Sequence, residues 1–163
     1  MHPSPRIVFA AVFAACAALI AAGIFYFQEQ LGLDPCPMCI VSRYCFIAIG
    51  MIALVGAIHG PRAMPLKAYG GLIALFAIAG IGVSIRHSYL QHFPPATETC
   101  GTDLEFLLNT LPLTQALPKI FAGTGSCSSV GWQFLGLSIP EWALVWFAIL
   151  GAASLWVVFR RPK

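Results

Sequence analysis

Charge is scarce in this chain. Asp, Glu, Lys and Arg together make up 9% of its 163 residues, against roughly 25% in a typical soluble domain. So little charge excludes an ordinary water-facing surface, and a formal net charge of +3 gives no footing for a nucleic-acid partner. The sequence also lacks an internal repeat, a phosphate-binding loop and a paired-carboxylate site. What fills it instead is apolar: 59% of the residues are hydrophobic.

The apolar residues fall in four runs, at about 7–27, 40–58, 68–85 and 142–159, each long enough to cross a hydrocarbon core of about 30 Å. The first, Ile7 to Phe27, outlasts the 7 to 15 apolar residues of a typical signal peptide and reads as a span. Lys and Arg mark the cytoplasmic side. Arg6 precedes the first run, Arg62 and Lys67 separate the second from the third, and Arg160, Arg161 and Lys163 follow the fourth. The other two connections, about 28–39 and 87–141, carry Glu29, Asp34, Glu98, Asp103, Glu105 and Glu141 against a single Lys119, and these face outward. The expected architecture is an all-α membrane protein: one integral domain over 1–163, a four-transmembrane-helix bundle with a long outer loop containing short surface helices.

No cysteine falls in a cytoplasmic loop. Cys36, Cys39, Cys100 and Cys127 lie on or beside the outward segments, where disulfides persist; Cys16 and Cys45 fall inside spans, as small buried hydrophobes do. Three chemistries compete for the outward four. A structural zinc site ordinarily brings two close cysteine pairs, and only one exists here, so no metal is expected. Purely structural bridges are the second; one closing Cys100 to Cys127 would stabilise the loop by about 3 kcal/mol, but the tight C-x-x-C pair stays unexplained. The third is thiol–disulfide exchange, for which C-x-x-C is the usual device.

In "DPCPMCIVSRYC", residues 34–45, Asp34 is placed to cap the second span, with Pro35 at the first helical position and Pro37 in the first turn, where neither removes a helical hydrogen bond. Both sulfurs then sit at a helix N-terminus, which favours thiolate. Arg43 follows Cys39 by four residues and shares its face, within reach of an anion there. An arginine in a membrane segment is costly, which favours a functional role over snorkelling to the headgroups. Arg86 and His87 close the third span; Arg86 reads as an anchor, and His87 can hand a proton to a bound acceptor.

The loop 90–139 is too apolar for disorder and too long for a connector. Leu113, Ala116, Leu117, Ile120 and Phe121 follow helical spacing and suggest a short surface helix, and the Gly/Ser-rich 122–129 carries Cys127. Gly23, Gly50, Gly56, Gly80, Gly82 and Gly151 allow close helix approach. Trp142 and Trp156 are spaced for aromatic belts at the two interfaces.

Four spans, "PCPMCIVSR", "RHSYLQHFPP" followed by "ETC", then "GTGSC" and "WQFLGLSIPEW" together resemble the disulfide bond formation protein B (DsbB) family over essentially the whole chain. The resemblance implies a bacterial inner-membrane enzyme with both termini cytoplasmic and its redox loops periplasmic. Such an enzyme reoxidises a periplasmic thioredoxin-like thiol oxidase of the DsbA type and passes the electrons to ubiquinone or menaquinone from the membrane quinone pool. It further implies that Cys100 and Cys127 form the disulfide attacked by the partner, that Cys36 and Cys39 receive the electrons, that Cys39 faces the quinone, that Arg43 polarises it and that His87 lies near it. A vitamin K epoxide reductase type of enzyme shares the motif but opens a late span with it, whereas here it opens the second. A non-catalytic four-helix scaffold with a disulfide-stapled outer loop is the alternative of a different class.

Overall fold

In the computed structural model, residues 4–61, 64–94, 125–128 and 130–159 are described. Helix α1 (Pro5–Ala21) runs directly into a π-helical extension (Ala22–Gln30); α2 (Pro37–His59) and α3 (Met64–His92) follow, then the single turn α4 (Gly125–Ser128), a hairpin of β1 (Gln133–Phe134) and β2 (Leu137–Ser138), and α5 (Ile139–Phe159). Four of these units, counting α1 with its extension, are long and apolar enough to cross a membrane. The chain is a multi-pass membrane protein with a four-helix architecture.

Local sequence sets the helix ends. Pro5 and Pro37 occupy first-turn positions of α1 and α2, where a missing N–H costs nothing. The second helix starts later than its sequence suggests: Cys36, not Asp34, is the N-cap, in extended conformation with ψ 161°, and Pro37 rather than Pro35 opens the helix. The Cys36 sulfur itself accepts from the Cys39 N–H at 3.4 Å, so the capping carboxylate is not needed. At its other end α2 stops on Gly60, left-handed at φ +59°, with the Arg6 side chain packed where a Cβ would stand. The fifth helix opens with a capping-box arrangement, the Glu141 carboxylate accepting from the Ser138 N–H (2.6 Å) and hydroxyl (3.0 Å).

Two spans outrun their apolar runs. The first persists to Gln30 through the π-helical turns, and the third continues past Arg86 and His87 to His92. Some of the polar residues in these extensions meet neighbouring helices, Gln28 accepting from Arg43 and Ser88 donating to Glu141.

Helix α2 packs between α1 and α3, and α3 packs along α5. The larger apolar cluster includes Phe9, Val12, Ile49, Ile73, Phe147 and Val157, with Phe46 stacked on Phe147 at 4.0 Å between ring centroids. Gly80 lets this happen, since a Cβ there would stand 2.5 Å from the Phe147 ring. Gly82, expected at a helix contact, meets nothing within 4 Å. A smaller cluster gathers Cys36, Met38, Val83, Leu90 and Cys127. The β1–β2 hairpin pairs Gln133 with Ser138 and Phe134 with Leu137 around Leu135 and Gly136, both at positive φ, the turn geometry that matches strand twist. The surface helix expected over 113–121 and Cys100 lie outside the described residues.

Candidate functional site

The two sulfurs of C-x-x-C differ in position. Cys36, at the N-cap, is buried and points into the smaller cluster; Cys39, a turn into α2, is half-buried and lines a cavity. The Cys36 thiol donates to Cys39 Sγ at 3.3 Å, and its sulfur lies 3.6 Å from His87 Nε2 on α3. Helix α4 brings Cys127 to the same point, so that Cys36 Sγ, a His87 ring nitrogen and Cys127 Sγ all lie within 4.8 Å of one another. Residues 36, 87 and 127 are 5%, 4% and 1% exposed, which excludes bulk water from the group. The hydrogen bond with Cys127 first, then that with Cys39, then burial, push the Cys36 thiol pKa up. These surroundings oppose the thiolate that the helix N-terminus alone favours at Cys36. No disulfide joins two described cysteines.

Arg43 does not snorkel to a headgroup. Its Nη1 donates to Gln28 Oε1 at 2.6 Å and its Nη2 to the Gly23 carbonyl at 3.0 Å, both on the π-helical extension. Such π turns are often found at functional sites; here the extension presents a main-chain and a side-chain acceptor to one guanidinium. Arg43, Cys39 and His87 share a cavity of about 360 Å³, within the range of small-molecule pockets. Its walls are mostly apolar and aromatic: Phe27 and Gly23 from the first span, Phe46 and Ser42 from α2, Trp132 and Phe134 from the hairpin, and Trp142 and Trp146 from α5. Asp34 also lines it.

Family membership follows from whole-chain likeness. Residues 5–157 match the family model described as disulfide bond formation protein DsbB. The proteins named disulfide bond formation protein B from Azoarcus sp. (strain BH72) and Aromatoleum aromaticum are similar to this chain, at 49% identity over 96% of it and 93% of theirs, and at 46% over 97% and 95%. That from Saccharophagus degradans is 46% identical over 98% of this chain and 96% of its own. The chain belongs to the DsbB family. As a DsbB-family protein it is a disulfide-forming oxidoreductase of the membrane, working with a thiol oxidase partner.

Within that family frame, folding unites Cys36, Cys39, Cys127, Arg43 and His87. Arg86 stands apart, its guanidinium 5.6 Å above the Tyr89 ring. Sequence reasoning missed most of the cavity wall. Trp142, expected as an interfacial belt residue, lines the cavity and donates to the Phe134 carbonyl at 3.1 Å, and Gln28 gave no signal because its role depends on a π turn that composition does not announce. The clustered aromatics of "GWQFLGLSIPEW" were the available clue.

Proposed function

We propose that this protein reoxidises a periplasmic thioredoxin-like dithiol oxidase of the DsbA type and delivers the electrons to ubiquinone or menaquinone in the bacterial inner membrane. In this reading 1–163 is one integral domain with both termini cytoplasmic, and Cys36, Cys39, Cys100 and Cys127 carry the exchange. The observation that carries the proposal is the line of sulfurs from Cys127 through Cys36 to Cys39, ending on a cavity that also holds Arg43.

The partner's thiolate attacks Cys100 of a Cys100–Cys127 disulfide, forming a mixed disulfide and releasing Cys127 as thiolate. Cys127 then attacks Cys36 of an oxidised Cys36–Cys39 pair. A bond forms between sulfurs 36 and 127, the bond between 36 and 39 breaks, and Cys39 leaves with the electron pair; the partner's second thiolate then displaces Cys100 from the mixed disulfide, and Cys100 attacks Cys127, restoring the Cys100–Cys127 bond and releasing Cys36 as thiolate. Cys39 faces the cavity while Cys36 does not, so the charge develops where Arg43 stands one helical turn away.

The cavity suits a quinone: aromatic walls accept a flat ring, and Arg43 and His87 offer polar contacts at its edge. When bound, the quinone supplies a two-electron oxidant. Arg43, fixed by Gln28 and Gly23, is set to stabilise negative charge without reorganising, the kind of preorganisation that contributes strongly to catalysis. His87 stands between the cavity and Cys36, placed to hold or pass a proton.

The test is anaerobic. Purified protein in detergent with a quinone and a reduced thioredoxin-like oxidase should consume quinone absorbance catalytically, and Cys39→Ser or Cys100→Ser should stop it. An unchanged absorbance with either quinone, while the partner stays reduced, would return the cysteines to the role of staples in a membrane scaffold.

A further inference from the structure

The spacing 36, 87 and 127 matches no metal motif, yet the fold assembles the donor set of one. We infer that the reduced protein binds a thiophilic divalent cation, zinc by chemical class, on Cys36 Sγ, His87 Nε2 and Cys127 Sγ, and that the bound cation halts disulfide exchange. Zinc with bonds of about 2.3 Å to sulfur and about 2.05 Å to nitrogen sets tetrahedral edges of about 3.6 Å from sulfur to nitrogen and about 3.8 Å between sulfurs. The Cys36–His87 separation is 3.6 Å, and the three donor atoms lie within 4.8 Å of one another, so small side-chain movements complete the site.

Burial and charge balance point the same way. All three residues are buried, where net charge is costly; two thiolates and a neutral imidazole cancel the charge of a dication, whereas a monovalent ion would leave the site negative. The fourth position is left to Cys39 or to water.

Binding changes no oxidation state. Two thiols release their protons to solvent, the cation sheds water, and the sulfur electron pairs of Cys36 and Cys127 become metal bonds. Neither is then free to attack or be attacked. The inhibition rests on the exchange reading above; the binding does not.

The full-length protein, reduced anaerobically in detergent, would be titrated with cobalt(II) alone as a spectroscopic stand-in for zinc. The expected result is the intense visible absorption of tetrahedral cobalt together with thiolate charge-transfer bands, both removed by zinc. Cys39→Ser should keep these bands. Cys127→Ser and His87→Ala should each weaken binding by at least the 10- to 100-fold typical of lost supporting partners. Bands lost in Cys39→Ser and kept in Cys127→Ser would mean chelation by the C-x-x-C pair alone and would overturn the assignment. Zinc-edge X-ray absorption on the unmutated protein guards against misfolded variants: an imidazole with two sulfurs, or with three where Cys39 takes the fourth position, is expected, and a sulfur-only shell contradicts the site. Zinc should stop partner oxidation and a chelator should restore it. Turnover continuing at full zinc occupancy would refute the inhibition, whereas absence of turnover in zinc-free protein would instead refute the exchange reading.

Discussion

Cys16 and Cys127 are equally buried, each 1% exposed, yet they occupy different chemical worlds. Cys16 lies in the larger cluster among Phe9, Val12, Ile49 and Cys45, its Cβ fitted against the space that Gly50 leaves open. Cys127 lies in the smaller cluster, with another sulfur and an imidazole nitrogen in reach. Burial therefore does not distinguish the two thiols. Their neighbours do, and in the proposed function the larger cluster holds shape while the smaller one carries the exchange.

Substitution should expose that division. The largest effect is expected from Cys39→Ser, which should abolish partner-dithiol oxidation, whereas Cys16→Ala and Cys45→Ala should leave it near the unmutated rate; equal losses from all three would erase the distinction between clusters. Arg43→Ala removes the guanidinium that the proposed function sets against the quinone; loss of one charge-assisted contact of about 1.5–3 kcal/mol to the reacting group should lower kcat/KM for quinone about tenfold to a hundredfold, read in steady-state assays at varied quinone. In the larger cluster, Gly80→Ala forces a methyl against the Phe147 ring. Overpacking of this kind costs about 1–3 kcal/mol, and unfolding in detergent should show that loss with turnover per folded molecule unchanged. The smallest effect is expected from Glu141→Gln, which weakens the cap on α5 and the contact to Ser88 at 3.3 Å; about 1 kcal/mol of stability should go, seen as a modest fall in thermal midpoint.

The larger cluster was the more legible of the two in sequence. Long apolar runs bounded by proline, glycine and charge are enough to position four helices, because membrane helices satisfy their own backbone. Residues joined by one helical turn, such as Cys39 and Arg43, could also be paired from spacing alone. The contacts that make the smaller cluster were not readable in this way. Cys36, His87 and Cys127 come from three separate elements, and the cap formed by a cysteine sulfur replaced the aspartate that ordinary capping preferences favour. The π turn that offers Gly23 and Gln28 to Arg43 has no compositional mark, and Trp142 looked like a belt residue until the hairpin carbonyl of Phe134 fixed its indole. Local periodicity reports which face of a helix is apolar; it does not report which polar atoms three helices bring to one point.

The most direct test of the account is whether sulfurs 36 and 127 meet. In the double variant Cys39→Ser, Cys100→Ser, mild oxidation in detergent followed by proteolysis and mass spectrometry of unreduced peptides should find Cys36 and Cys127 joined by a disulfide. Recovery of both as separate thiols, or of either bonded instead to Cys16 or Cys45, would contradict the relay on which the proposed function stands.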